Sequence, residues 1–161
     1  MGITWPCFNI DKPNIHGKKL MLGIWWDQLG VVYYELLKPN ETVTGALYRT
    51  QLMRLSWALK EKRAHYYSRH DKIILLHDNA WSHVAAPIKT YMEILNWEIL
   101  PHPYSPDIAP SDYHLFRSMA HGLSEQHFTS YEDIKNWIDN WIASKDEAFF
   151  QCGYYQKDGK K

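Results

Sequence analysis

Two apolar, β-prone runs separated by four residues constrain this chain more than any other feature. Lys19–Trp26 (KLMLGIWW) and Val31–Leu37 (VVYYELL) flank Asp27-Gln28-Leu29-Gly30, which reads as a hairpin with a short glycine-containing loop. Both runs carry consecutive apolar side chains where a one-sided strand would alternate. Such strands are buried on two faces, as in the middle of a layered α/β sheet.

Downstream the hydrophobic period lengthens. Tyr48, Leu52, Leu55 and Leu59 form an apolar stripe in a helix expected from Thr44 to Arg63, whose terminal cations suit the helix dipole. Ile73–Leu76 reads as a short buried strand, Val84–Leu95 as a helix and Trp97–Leu100 as another strand. Pro101, Pro103, Pro106 and Pro110 keep the next stretch irregular. Ser111 is a candidate N-cap for a helix from Asp112 to Ala120, with Gly122 as its stop. Ser130-x-x-Asp133 resembles a capping box opening a last helix, with Ile134, Ile138 and Trp141 on its core face. Strands alternating with helices after an initial hairpin predict an α/β fold, a mixed sheet flanked by helices. Trp25 and Trp26 are expected in its core, as is at least one of Trp137 and Trp141.

Composition excludes several function classes without choosing one. With 161 residues, 45% hydrophobic and 15% aromatic, the chain can bury one real core and is not a disordered sequence. Lys+Arg and Asp+Glu balance at 18 each, so it lacks the basic excess of a free-standing nucleic-acid module. Cys7 and Cys152 have neither zinc-ligand spacing nor a disulfide framework. No apolar run approaches a membrane span, and no leader pattern opens the chain.

Two aspartates stand in informative places. Asp78 follows directly on the strand Ile73–Leu76, and Asp112 lies in the first turn of a helix after the proline-rich loop. A carboxylate at the C-terminal end of a buried strand projects where α/β folds place their sites, and one at a helix start is held ionised by the dipole. Together they could hold hard divalent cations. A turn residue and a helix cap account for the same spacing. His77 and His83 read as hydrogen-bonding shell residues before metal ligands, and Asn79 either orients Asp78 or caps the following helix.

The words around these residues carry a resemblance. His77-Asp78-Asn79-Ala80-x-x-His83, followed by Trp97-Glu98-Ile99-Leu100-Pro101-His102-Pro103-Tyr104-Ser105-Pro106-Asp107-Ile108-Ala109-Pro110-Ser111-Asp112-Tyr113-His114-Leu115-Phe116, resembles the signature of mariner-type transposases. Lys12-Pro13-Asn14-Ile15-His16-Gly17-Lys18-Lys19, Ile24-Trp25-Trp26-Asp27-Gln28 and Tyr33-Tyr34-Glu35-Leu36-Leu37-Lys38 match the same family in order. The resemblance implies an RNase H-like fold and Mg²⁺- or Mn²⁺-dependent cutting and joining of transposon DNA. It implies a nuclear location and leaves a homodimer open as the assembly, and the lack of a long apolar run adds no membrane to the partners. Three acidic residues bind the metals in this family; Asp78 matches the second and Asp112 the third.

Three departures shape the expectations. The family's first Asp sits in a Gly-Asp-Glu motif on a strand upstream of anything here, so the sheet is expected to lack its first strand and the site its first carboxylate. Between Asp78 and Asp112, 33 residues intervene, one fewer than the family's usual spacing, the shortfall lying in the His102-Pro103-Tyr104 loop. Beyond Phe150 the pattern ends. The expected organisation is therefore an irregular segment over 1–18, a partial catalytic domain over 19–150 and a divergent tail over 151–161. Three readings follow: a metal-dependent nuclease or strand-transferase, a non-catalytic DNA-binding or dimerising remnant, and a product with no function of its own. Impaired activity is expected over full activity.

Overall fold

The computed structural model describes residues 2–4, 7–8, 20–69, 72–77, 86–101 and 110–155. Its elements, in chain order, are β1 (Gly2–Thr4), β2 (Cys7–Phe8), β3 (Leu20–Asp27), β4 (Gly30–Leu36), α1 (Gly45–Lys62), α2 (Ala64–Ser68), β5 (Ile74–His77), α3 (Ala86–Leu95), β6 (Glu98–Pro101), α4 (Pro110–Leu123), α5 (Tyr131–Ala143) and α6 (Glu147–Tyr155).

The hairpin forms as its turn chemistry dictates. Asp27 accepts a hydrogen bond from the Leu29 N–H at 2.8 Å, an Asx-type closure. Gly30 adopts φ +128, a conformation that strains any residue with a Cβ. Strands β3 and β4 pair antiparallel from Asp27↔Gly30 to Leu22↔Leu36, with a register shift between Trp25 and Trp26. The shift works as a β-bulge: Val32 and the neighbouring Tyr33 both pack on one face, while Val31, Tyr34 and Leu36 serve the other.

The sheet order is β2-β3-β1-β5-β6, with β4 on the other edge of β3. Strands β5 and β6 run parallel in register from Ile74↔Glu98 to His77↔Pro101. Strand β1 joins the antiparallel and parallel halves, pairing with β3 through Gly2↔Trp26, Ile3↔Trp25 and Thr4↔Ile24 and with β5 through Gly2↔Leu76. Strand β2 continues the same register along β3, through Cys7↔Met21 and Phe8↔Leu20. This corrects the expectation of a gap in the sheet. The facing edges of β3 and β5 would present unpaired backbone groups, and five residues from the expected irregular segment satisfy them.

Burial on two faces is borne out by two cores. On one face Leu20, Leu22, Ile24 and Trp26 pack with Leu115 and Met119 of α4, Ile134, Ile138 and Trp141 of α5, and Phe150 of α6. On the other, Trp25 and Val32 pack with Tyr48, Leu52, Leu55 and Leu59 of α1, Leu75 of β5, Ile88 and Met92 of α3, and Trp97. Trp25 and Trp26, neighbours in sequence, are each 0% exposed on opposite faces.

Local signals set the helix ends. Thr44 caps α1, accepting from the Leu47 N–H at 3.2 Å. Asn96, at φ 54, ends α3 in a left-handed turn, and the Trp97 N–H returns to the Met92 carbonyl at 3.1 Å. The capping box opening α5 is present, with Ser130 and Asp133 bonding reciprocally. Besides the short α2, which was not expected from the sequence, two helices depart from expectation. Gly122 lies inside α4 and does not stop it; its missing Cβ lets Trp137 of α5 pack there, where an added Cβ would stand 3.0 Å from the indole. Helix α6 forms beyond the expected last helix because the Asp146 carboxylate caps the Phe149 N–H at 3.0 Å, while Phe149 and Phe150 pack edge to face.

Candidate metal centre

Strand direction decides where chemistry can sit. Strand β5 ends at His77, so Asp78 is the next residue after a central strand flanked by parallel β1 and β6. Helix α4 opens at Pro110, a favoured first helical residue, which puts Asp112 in its first turn. That helix packs against β1, the neighbour of β5. The fold thus sets β5 and α4 each against β1. Asp78, Asn79 and His83 lie outside the described residues, while His77 closes β5. Strand β1 contributes Gly2, Ile3 and Thr4, none acidic. Among the described residues no group of three His, Cys, Asp or Glu could hold a metal ion. The donors that sequence assigns to the centre are carboxylates, which suit hard cations such as Mg²⁺ or Mn²⁺ and not a soft metal.

The opposite pole is held by a different carboxylate. Strand β3 runs against β1 and so ends where β5 begins, and there Asp27 meets the C-terminal end of α1. Arg63 donates from Nε to Asp27 Oδ2 at 2.8 Å and from Nη2 to Oδ1 at 2.9 Å. The two side chains are 12% and 13% exposed, and hydrogen bonding to Asp27 raises the Arg63 pKa. Asp27 has its oxygens committed to this fork and to the turn, so it is no spare metal ligand. A cleft of about 180 Å³ beside it is lined by Leu59, Tyr66, Lys72, Ile73 and Ile74.

Sequence reasoning also missed two ties that fix the hairpin. The Tyr34 hydroxyl donates to Asp139 of α5, and burial together with that carboxylate raises the phenol's pKa. On the other face the Glu35 carboxylate accepts from Arg54 at 2.6 Å and from the Tyr33 hydroxyl at 3.0 Å. Burial first, and Glu35 second, push Tyr33 up to about 12, so it stays neutral at physiological pH. These pairings join residues far apart in sequence or in different elements, and no local motif announces them.

An α/β sheet with an antiparallel hairpin, a central strand and two parallel strands, flanked by helices on both faces, is the RNase H-like arrangement. The transposase family described as "Transposase (partial DDE domain)" matches residues 8–69. The mariner Mos1 transposase of Drosophila mauritiana is 54% identical over 152 residues, 94% of this chain and 44% of that protein. The solved Mos1 transposase catalytic domain with raltegravir and Mg superposes with a TM-score of 0.87 at 51% identity, covering 96% of this chain and 76% of that one. A Mos1 transposase paired-end complex with the left transposon end superposes at 0.80 and 54% identity, covering 94% of this chain and 44% of that one. The chain belongs to the mariner-type transposases and corresponds to their catalytic domain. It spans under half the length of the whole Mos1 protein.

Proposed function

We propose that this chain is a DNA-acting domain of the cut-and-paste type, binding a divalent cation through Asp78 and Asp112, with strand cleavage impaired. The observation that carries this reading is that β5 ends immediately before Asp78 while α4 opens with Asp112 in its first turn. The chain that carries them superposes closely on a catalytic domain solved with Mg. A bound Mg²⁺ or Mn²⁺ would supply activation of the attacking oxygen and stabilisation of the leaving oxygen at phosphorus. The chain's own part is to supply the two carboxylates, one directly after β5 and one in the first turn of α4. His77, Asn79 and His83 act around Asp78 as hydrogen-bonding neighbours. The partner is DNA, the working assembly a dimer as in a paired-end complex, and the location nuclear. No helix among the described residues is long and apolar enough to cross a membrane.

A second reading, a non-catalytic DNA-binding or dimerising remnant, is favoured by β1, whose three residues bring no carboxylate to the centre of the sheet. Mn²⁺ binding followed by electron paramagnetic resonance, alongside nicking of supercoiled plasmid in Mg²⁺ or Mn²⁺, separates the two. The expected result is metal binding weakened at least about tenfold by Asp78→Ala or Asp112→Ala, one lost ligand being worth that much or more. Nicking should be slow in the parent and absent from both variants. Nicking that survives Asp78→Ala sinks the site assignment, and Mn²⁺ affinity equal in parent and variants leaves the second reading standing.

A further inference from the structure

The solvent face of α1 carries a chemistry that the carboxylate centre does not use. Arg49, Met53, Trp57 and Lys60 recur at spacings of four, four and three, which puts them on one stripe roughly 16 Å long by helical rise. All four are exposed. Trp57 is 60% exposed and Met53, one turn before it, is 37% exposed. Among the described tryptophans, Trp25, Trp26, Trp97 and Trp141 are at most 8% exposed and Trp137 is half-buried, so Trp57 has the most exposed indole of these. It also sits in a cationic field. Helix α1 holds Arg49, Arg54, Lys60 and Lys62 against a single acid, Glu61, in a chain whose formal charges cancel overall. Arg54 is partly neutralised by Glu35. Arg49 lies over the Tyr91 ring, 5.4 Å from its centroid, a contact that steadies the guanidinium without cancelling its charge.

We propose that this face of α1 is a binding surface for single-stranded nucleic acid, with Trp57 as the stacking platform and Arg49 and Lys60 as phosphate contacts. An exposed indole on a helix with four cations and one acid, Glu61, one turn beyond it, offers a base a flat apolar partner and the adjoining phosphates a counter-charge. A second copy of the chain is the poorer occupant, because two such faces meeting would bring Arg49 and Lys60 against their own like. Duplex DNA also fits less well, since its bases are stacked on each other and offer Trp57 no free face. The surface lies on the outer side of α1, toward the end that meets Asp27, so it acts whether or not Asp78 and Asp112 hold metal.

The test uses the full chain carrying Asp78→Ala, so that neither cleavage nor the metal centre enters the reading. Binding of a fluorescein-labelled oligothymidylate is followed by anisotropy across a salt series. Trp57→Ala is expected to weaken binding about tenfold, the lower part of the range for one base–aromatic stack, while Trp57→Phe retains most of the affinity. Arg49→Ala with Lys60→Ala should reduce the slope of log affinity against log salt by about 1.4, two single-strand phosphate contacts. A duplex of equal length should bind without dependence on Trp57. Unchanged oligothymidylate affinity in Trp57→Ala overturns the proposal. So does a monomer–dimer equilibrium in sedimentation that Trp57→Ala abolishes, which would give the face to a second copy. Because Trp57 is exposed, an unchanged melting temperature is expected for its variants, and the Phe variant keeps the test readable should the Ala variant lose stability.

Discussion

At the scale of single residues, Asp27 shows how a turn position becomes a structural joint. Its carboxylate closes the hairpin through the Leu29 N–H and receives both arms of the Arg63 fork, tying the β3–β4 turn to the end of α1. Truncating Arg63 leaves a carboxylate in a largely desolvated place with one partner fewer. Removing one member of a fully buried pair costs about 3–5 kcal/mol, and the 12–13% exposure of this pair discounts that to roughly 2 kcal/mol. Arg63→Ala should therefore lower the urea midpoint by about 1 M for an ordinary small-domain slope. Arg63→Lys should recover only part of the loss, because a point charge cannot make the planar fork. A midpoint within error of the parent would show that the pair is solvated in practice. The two residues were legible singly, one as a turn Asp and the other as a cation at a helix end. Their pairing was not, since 36 positions separate them and only the finished hairpin brings them together. Gln51 makes the same point. The stripe Tyr48, Leu52, Leu55 and Leu59 was readable, yet the amide of Gln51 is also 0% exposed, and its polarity conceals that from any count of apolar positions.

At the scale of elements, α5 follows its sequence closely and α4 less so. The capping box puts the Asp133 carboxylate within reach of the Thr129 hydroxyl at 2.7 Å and the Ser130 N–H at 3.0 Å. Bonding to Thr129, then to Ser130, lowers the Asp133 pKa. A group whose folded pKa lies below its unfolded value contributes stability that is present above the unfolded value and is lost as pH falls through the folded one. The capping contribution should thus hold at neutral pH and disappear in acid, below the ordinary carboxylate range. Thermal melts of the parent and Asp133→Asn should differ most at pH 7 and converge as pH drops toward 3. A difference that stays constant with pH would assign the effect to the amide's shape and not to the charge. Gly122 is where sequence and structure part. A glycine two positions past a periodic run reads as a C-cap, but here it marks close approach, with Trp137 occupying the space a Cβ would take. Helix contact and helix stop use the same residue, and periodicity along one helix cannot tell them apart.

At the scale of the whole molecule, the sheet depends on five residues near the N-terminus. Strands β3 and β4 form one paired unit and β5 and β6 another, and among the described strands β1 is what joins them. The two positions proposed to hold metal were legible as words, Leu76-His77-Asp78-Asn79 after an apolar strand and Pro110-Ser111-Asp112-Tyr113 opening a helix. The bridging strand was not, because Gly2-Ile3-Thr4 and Cys7-Phe8 are too short to carry a period of two and owe their conformation to the edges on either side. Deleting residues 1–8 removes five register pairs to β3 and one to β5. At about 1 kcal/mol for each backbone hydrogen bond, the loss is on the order of 5 kcal/mol, comparable with the whole stability of an ordinary domain. It also opens two facing strand edges in the middle of the sheet, each bearing unpaired N–H and C=O groups beside apolar side chains. The truncated chain should lose its cooperative thermal transition and scatter light increasingly with concentration, whereas the full chain should melt as one unit because β1 carries the pairing from one half to the other. An identical midpoint with no scattering would show instead that the helices of the two cores, α1 with α3 and α4 with α5 and α6, hold the halves together without the strand.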